Sequence, residues 1–171
     1  MAQSDTPMSK VLAYHQSAID QFFPESNYEY CILLDPTSPL REGEHIEEAL
    51  ELLRNSQDAS GVVSVSVPHF NPAWVTVSID EEFKLNRWNR DGKNITRRQD
   101  APILYRMNGS FYIWKVDFLR KIKDPWLEQE KFIPYIVNDI YGISIDTITD
   151  FRLAELIQEK MLNDKDYFHN D

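Results

Sequence analysis

The sequence predicts a single α/β domain built on a sheet that is covered on both faces. Two apolar stretches carry this prediction. Cys31–Leu34 contains no polar alternation, which is typical of a strand buried on both sides. Gly61–Val67 is rich in β-branched residues and stops at Pro68, as expected for a second strand of the same sheet. The chain has 171 residues, 42% of them hydrophobic, which is enough for one sizeable core.

Helices are predicted on either side of the first strand. Ser4, Asp5 and Thr6 precede a helix from about Pro7 to Phe23, in the arrangement of an N-cap followed by proline in the first turn. A second helix, from about Glu44 to Arg54, has an apolar face and acidic residues in its first turn, where the helix dipole favours them. Each helix can therefore turn one apolar face towards the sheet.

The middle of the chain is predicted to form a β-hairpin outside the main sheet. Trp74–Ile79 alternates in polarity, Asp80–Glu82 supplies a turn, and Phe83–Trp88 returns as the second arm. A two-stranded hairpin is marginally stable by itself. We therefore expect this hairpin to pack against a further surface.

The last third of the chain is predicted to return to the sheet and to end in a helix. Gly109 lies where a loop enters a strand, and a residue without a Cβ allows a ligand to approach the backbone closely. The predicted elements are a strand within Tyr105–Trp114, a helix at Val116–Lys121, an irregular stretch at Pro125–Pro134, a short edge strand at Tyr135–Asn138, and a helix opened by Asp146 and Thr147.

Charge and composition exclude several classes of function. A formal net charge of -10 disfavours binding to polymeric nucleic acid or to an anionic membrane, since both require a basic surface. Cys31 is the only cysteine, which excludes an intramolecular disulfide, and its apolar setting is typical of an inert core thiol. The sequence shows neither a secretory signal nor an apolar run of membrane-spanning length. A cytoplasmic protein is expected.

Two groups of polar residues are candidates for a ligand site. Asp35, Thr37 and Ser38 follow the first strand between two prolines, at the carboxyl end where open α/β sheets bind ligands. A plain connection from strand to helix is the alternative. The second group is a cluster of basic residues: Arg87, Arg90, Lys93, Arg97 and Arg98. This cluster is either a binding site for an anion, such as a triphosphate or a sugar carboxylate, or a solvated loop.

Four segments resemble one enzyme family in the same order along the chain. LLDPTSPLR at 33–41 resembles the LLQPTSPLR of the CMP-sialic acid synthetases, the acylneuraminate cytidylyltransferases, which include the CMP-legionaminic and CMP-pseudaminic acid synthetases. YRMNGSFYI at 105–113 is similar to the family's F-R-x-N-G-x-x-Y-I, and IDTITD at 145–150 to its I-D-T-x-x-D. AQSDT at 2–6 is similar to L-A-x-D-T. The resemblance covers nearly the whole chain.

This resemblance implies a Rossmann-like nucleotidyltransferase fold with a mixed sheet. Residues 1–171 would form a single partial cytidylyltransferase domain, with the first βα units missing. Residues 70–104 would form an inserted lobe for dimerisation and substrate binding, and the aromatic hairpin residues Trp74, Phe83 and Trp88 would suit a homodimer interface.

The implied reaction is attack by the anomeric hydroxyl of a nine-carbon 2-keto-3-deoxy sugar acid on the α-phosphorus of CTP, which releases pyrophosphate. Asp146 would be catalytic and would bind Mg²⁺. The binding of Mg²⁺ would be weakened because Ser144 replaces the first acid of the motif. Arg98 would be the second catalytic residue, and Ser4 and Asp5 would approach the nucleotide unless they only cap the helix. Substrate contacts would come from Asp35, Thr37, Ser38, Gln99, Arg106, Asn108, Gly109 and Tyr112, while Asp150 caps the last helix.

The sequence lacks the family's L-A-R-x-x-S-K-G loop, which holds the triphosphate. An N-terminally truncated synthetase, impaired by itself, is therefore expected. The alternative is a non-catalytic pseudoenzyme or interaction subunit that retains the pocket for the sugar acid. A nucleotidyltransferase for a hexose or an eight-carbon sugar acid is a third and weaker alternative.

Overall fold

The computed structural model describes residues 6–22, 27–89 and 95–163. Ser4 and Asp5, and Arg90 and Lys93 of the basic group, lie outside the described residues. The helices are α1 (Met8–Phe22), α2 (Gly43–Asn55), α3 (Pro72–Val75), α4 (Val116–Leu119) and α5 (Ile148–Asn163). The strands are β1 (Tyr30–Leu34), β2 (Gly61–Ser66), β3 (Val77–Ile79), β4 (Leu85–Arg87), β5 (Arg106–Lys115) and β6 (Phe132–Ile136).

The main sheet is mixed and has four strands in the order β1-β5-β2-β6. Strand β5 runs antiparallel to both β1 and β2, while β2 and β6 are parallel. Strands β1, β2 and β6 therefore point the same way, and their carboxyl ends meet at the edge where β5 begins. In open α/β sheets, ligands bind at the corresponding edge.

The core lies between α2 and one face of the sheet. Leu53 of α2, Phe111 and Ile113 of β5, and Val62 of β2 are each fully buried. Each such apolar side chain stabilises the fold by roughly 1.5–3 kcal/mol relative to its exposed state. The amphipathic pattern of α2 thus fixes which face of the sheet it covers. No helix among the described residues has the length and apolarity needed to cross a membrane.

Strand β1 differs from the prediction that it is buried on both faces. It pairs with β5 and ends the sheet, and Ile32 and Leu34 are 40% and 42% exposed. An unbroken apolar run specifies a strand, but it does not specify whether another element covers each face of that strand. The expectation of burial was therefore wrong for the part of the chain that the structure describes.

The predicted hairpin exists, but its first arm begins later than expected. Trp74 lies in α3 because Pro72 opens this helix and the side chain of Asn71 accepts a hydrogen bond from the Ala73 N–H. Strands β3 and β4 then pair antiparallel over three residues each. Phe83 lies in the turn between them with a φ of 62°.

The segment before the last loop is more regular than predicted. Two 3₁₀ turns, Pro125–Leu127 and Gln129–Lys131, lead into β6, which starts at Phe132 rather than at Tyr135. Pro134 stands inside β6, where it pairs with Val63. Proline is tolerated there because β6 lies at the edge of the sheet.

Candidate functional site

The loop after β1 is held in one conformation by its own side chains. The Asp35 Oδ1 atom accepts hydrogen bonds from the Thr37 N–H at 3.0 Å and from Thr37 Oγ1 at 2.8 Å. Arg41 Nη1 donates to the backbone oxygens of Asp35 and Ser110 at 2.6 and 2.9 Å, which ties the loop to β5. Ser38 is fully buried beneath the loop. The two prolines and these bonds give a rigid loop at the ligand edge.

The same loop is joined to the segment that precedes α5. Ser144 Oγ lies 3.0 Å from Thr37 Oγ1, and the Ile145 N–H donates to the Thr37 oxygen at 2.8 Å. Because the hydroxyl proton of Thr37 goes to Asp35, Ser144 is the donor to Thr37. The motifs at 33–41 and 145–150, which are about a hundred residues apart in sequence, thus form one structure.

Strand β5 contributes a bulge to the site. The register of β2 against β5 shifts between Val63 and Val65, where several residues of β5 stand opposite one residue of β2. Gly109 in this bulge has a φ of 75°. A Cβ placed on Gly109 would lie 3.7 Å from Asp35 Oδ2 and would meet no other described atom within 4 Å. The backbone of Gly109 therefore faces open space next to the Asp35 carboxylate.

Asn108 supports the bulge from behind. Its side chain is 3% exposed, and its Oδ1 atom accepts a hydrogen bond from the Ser110 N–H at 3.1 Å. It packs directly on Gly142, where an added Cβ would lie 2.6 Å from the Asn108 Cβ. The predicted contact of Asn108 with the sugar stays a prediction: the side chain is buried beneath the bulge, and its Nδ2 atom has no hydrogen-bond partner among the described residues.

Arg106, predicted to contact the substrate, is held by groups behind the edge. Its guanidinium forms an ion pair with Asp139 at 2.7 Å and donates to the Gly142 oxygen at 2.9 Å. Ser66 Oγ donates to the same Asp139 carboxylate at 2.5 Å. Asp139 and Gly142 were not identified from the sequence, because neither carries a local signal and both act through contacts far along the chain.

Tyr112 lies on the face of β5 opposite to the core. Its ring stacks on Trp114 at 5.5 Å between centroids and meets Trp126 edge-on at 5.8 Å. Burial raises the pKa of the Tyr112 hydroxyl, the neighbouring Trp126 side chain lowers it, and the charge of Asp35 raises it again, with a net upward shift. The hydroxyl therefore stays protonated at neutral pH and can donate to a ligand.

Arg98 and Gln99 line a separate cavity of about 440 Å³ beside the carboxyl end of β2. His69 and Asn71 line the same cavity, and Asn71 closes it by donating to the Pro102 oxygen at 2.7 Å. His69 and Asn71 were not among the predicted site residues. The sequence signal for them was their place directly after a strand, the same signal that marked Asp35.

The arginines near this cavity differ in their partners. Arg97 forms a two-bond ion pair with Asp100 at 2.8 and 2.9 Å, and Arg106 is paired with Asp139. The Arg98 oxygen accepts a hydrogen bond from the Ala101 N–H, but its guanidinium forms no hydrogen bond or ion pair with any described residue. Its guanidinium is therefore available to an anionic ligand.

Asp146 and Asp150 have different environments at the start of α5. Asp150 accepts hydrogen bonds from the N–H and hydroxyl of Thr147, and these bonds lower the pKa of its carboxyl. The predicted capping role of Asp150 is thus confirmed. The exposed Asp146 donates its N–H to Asp150, while its carboxylate has no partner within the described ranges.

The described residues contain no cluster of three or more His, Cys, Asp or Glu side chains that could hold a metal ion. The available donors are the Asp146 carboxylate and nearby hydroxyl groups. This set fits a Mg²⁺ ion that takes one carboxylate and draws its other ligands from phosphate oxygens and water. It does not fit a metal held by protein groups alone.

The sheet and its ligand edge define the class of protein. A solved structure of a CMP:2-keto-3-deoxy-manno-octonic acid synthetase complexed with CTP matches the fold with a TM-score of 0.53 at 14% identity. The match covers 85% of this chain and 68% of that one. The chain therefore has the Rossmann-like α/β fold of a nucleotidyltransferase, as its sequence predicted.

Curated relatives then identify the family. The chain is 33% identical over 132 residues to an N-acylneuraminate cytidylyltransferase of Streptococcus agalactiae serotype V, covering 74% of this chain and 29% of that protein. It is 33% identical over 133 residues to the CMP-N,N'-diacetyllegionaminic acid synthase of Legionella pneumophila, covering 77% and 55%. The post-translational flagellin modification protein B of Campylobacter coli is 28% identical over 149 residues, covering 86% and 60%.

The chain belongs to the CMP-sialic acid synthetase family. It spans between 29% and 60% of the length of these three relatives. No protein-family model matches the chain.

Proposed function

We propose that this chain forms the sugar-acid side of a cytidylyltransferase, which joins the CMP group of CTP to a nine-carbon 2-keto-3-deoxy sugar acid. The names of the relatives support this reaction. The observation that carries it is the convergence of three distant segments at one sheet edge. The loop at 35–41, the bulge at Gly109 and the start of α5 meet there through direct hydrogen bonds.

The proposed reaction is an in-line displacement at phosphorus. The anomeric oxygen of the sugar acid bonds to the α-phosphorus of CTP while the bond from that phosphorus to the bridging oxygen breaks. Pyrophosphate leaves with the electron pair of that bond, and the hydroxyl proton passes to solvent. Such chemistry depends on positioning and on neutralisation of phosphate charge, so that the protein contributes mainly geometry and cations.

Arg98 is proposed to bind an anionic group of the substrates. It lines a cavity of about 440 Å³ and has no carboxylate partner among the described residues. This single guanidinium neutralises little of the charge of a triphosphate. We therefore expect slow turnover by the 171-residue chain alone.

Asp146 is proposed to hold Mg²⁺ together with the phosphates of CTP. The ion, when bound, neutralises phosphate charge and orients the α-phosphate. Ser144 lies two residues before Asp146 and donates its proton to Thr37. Ser144→Asp should tighten magnesium-dependent CTP binding, because a second carboxylate would then face the ion. Unchanged binding in Ser144→Asp would contradict this placement of the metal.

A homodimer through the hairpin is proposed as well. Phe83 and Trp88 are 86% and 74% exposed, and Leu85 between them is 70% exposed. Large exposed aromatic side chains on one hairpin are typical of protein interfaces. The second copy would cover this apolar surface.

A pyrophosphate-release assay with CTP, Mg²⁺ and neuraminic, legionaminic or pseudaminic acids tests the proposed reaction. Arg98→Gln should raise the KM for a substrate at least tenfold, since it removes a charged contact. Arg97→Gln is the matched control, because Arg97 is already neutralised by Asp100. Equal effects of the two substitutions would contradict the role of Arg98.

The second candidate function is a non-catalytic subunit that binds the sugar acid. The described residues offer no cluster of three or more His, Cys, Asp or Glu side chains for a metal ion, and this favours the alternative. Binding of a nonulosonic acid without release of pyrophosphate would support it. Absence of both binding and turnover would exclude both functions.

A further inference from the structure

The carboxylate of Asp35 is only half satisfied by the protein. Its Oδ1 atom accepts two hydrogen bonds from Thr37. Its Oδ2 atom has neither a hydrogen bond nor an ion pair with any residue in the described ranges. Arg41 is close, but it donates to the backbone oxygens of Asp35 and Ser110 and not to the carboxylate. A partly buried carboxylate oxygen that no protein group donates to is a ready acceptor for a donor on a ligand.

The neighbouring hydroxyl groups cannot supply that donor. Thr37 has one hydroxyl proton, and it is already bonded to Asp35 Oδ1. Ser144 consequently gives its own proton to Thr37. This chain of hydrogen bonds runs from Ser144 to Asp35 and ends there. Among the described residues no group donates to Oδ2, which is thus left as an acceptor for solvent or for an incoming ligand.

The space in front of Oδ2 is open to a ligand. A Cβ added to Gly109 would lie 3.7 Å from Asp35 Oδ2, and it would meet no other described atom within 4 Å. Tyr112 is near enough for the charge of Asp35 to raise the pKa of its hydroxyl. Because this pKa is raised, the hydroxyl keeps its proton at neutral pH and can donate it to a ligand. The space is therefore bounded by one anionic acceptor and one neutral donor.

We infer that Asp35 selects the substituent of the sugar acid, favouring a substrate that presents an ammonium or hydroxyl donor to Oδ2. This inference rests on the proposed function. The carboxylate of the sugar acid and the phosphates of CTP are repelled by Asp35 and lie towards cations such as Arg98. A sugar acid with an ammonium group at this position should bind most tightly, because the ammonium group also neutralises the charge of Asp35. A hydroxyl group should give the second-highest affinity, and an acylamino group the third, because its carbonyl is an acceptor.

Binding of a panel of sugar acids tests this order. The panel contains N-acetylated, hydroxyl-bearing and amine-bearing nonulosonic acids that differ at one carbon at a time. Dissociation constants are measured by titration calorimetry at neutral pH for wild type, Asp35→Asn and Asp58→Asn. Asp35→Asn keeps an oxygen that can accept from Thr37, and Asp58→Asn removes the same charge from an exposed position at the opposite end of β2. Thermal unfolding verifies that all three proteins are folded.

At the carbon that faces Asp35, wild type and Asp58→Asn should bind the amine at least tenfold more tightly than the hydroxyl. Asp35→Asn should reduce this preference to less than threefold, while its affinity for the N-acetylated acid changes less than threefold. The inference is overturned if no amine is preferred at any carbon or if Asp35→Asn keeps the preference. Failure of every nonulosonic acid to bind wild type, with or without CTP and Mg²⁺, would instead overturn the proposed function and the inference with it.

Discussion

Gly142→Ala should be among the most damaging single-methyl substitutions in this protein. The added Cβ would lie 2.6 Å from the Cβ of Asn108 and 2.8 Å from its Cγ and Nδ2 atoms. Asn108 is 3% exposed and cannot move outwards without breaking its hydrogen bond to the Ser110 N–H. Gly142 itself is fully enclosed, so that the backbone cannot easily yield either.

The magnitude follows from these contacts. Overpacking a closed site costs about 1–3 kcal/mol, and loss of the Asn108 hydrogen bond adds about 1 kcal/mol. The free energy of unfolding should therefore fall by roughly 2–4 kcal/mol, which corresponds to a fall in Tm of roughly 5–15 °C for a chain of this size. Binding of the sugar acid should weaken as well, because Asn108 supports the bulge at Gly109.

Urea unfolding of wild type, Gly142→Ala and Gly43→Ala provides the measurement. Gly43 is the control, because a Cβ there meets nothing within 4 Å and because alanine is a better helix former at the start of α2. Gly43→Ala should be neutral or slightly stabilising. A change of less than about 0.5 kcal/mol for Gly142→Ala, the usual range of a surface substitution, would refute the tight packing of Asn108 on Gly142.

Three further predictions concern metal binding, assembly and acid stability. Asp146→Ala should abolish magnesium-dependent CTP binding in a titration, and unchanged binding would show that the ion lies elsewhere. The double variant Phe83→Ala, Trp88→Ala should sediment as a monomer at micromolar concentrations where wild type is dimeric; a monomeric wild type would argue against the hairpin interface. Hydrogen bonds from Thr147 lower the pKa of Asp150, so its contribution to stability is present above the unfolded-state pKa and is lost as the pH falls through the folded-state pKa. In urea unfolding, the free energy of unfolding of Asp150→Asn should therefore fall less than that of wild type between pH 5 and pH 2. This range covers ~3 pH units around the ordinary pKa of a carboxyl group.

The sequence predicted those elements whose signals are local. Helix α2 and strand β2 lie within one residue of their predicted ends, because an amphipathic face and a β-branched run specify them directly. Trp74 was placed in a strand because alternation of polarity was read without the cap that Asn71 provides. The exposure of Ile32 and Leu34 on one face of β1 was not predicted, because an apolar run does not show which of its faces another element covers.

The candidate site was predicted in part for a similar reason. The motifs located Asp35, Thr37 and Gly109, which the structure brings together. They did not distinguish Arg98, whose guanidinium has no partner among the described residues, from Arg106, whose guanidinium is bound to Asp139. That difference depends on which carboxylates lie nearby in space, and no spacing in the sequence encodes it.

A nitrogen-15 NMR titration tests most directly whether the edge at the carboxyl ends of β1, β2 and β6 binds the substrates. N-acetylneuraminic acid, followed by CTP with Mg²⁺, would be added to the labelled protein while backbone amide shifts are recorded. The largest shifts should fall on Thr37, Gly109, Tyr112 and Asp146, with smaller changes at Arg98. Shifts confined to α1, or no shifts at saturating ligand, would contradict the proposed site.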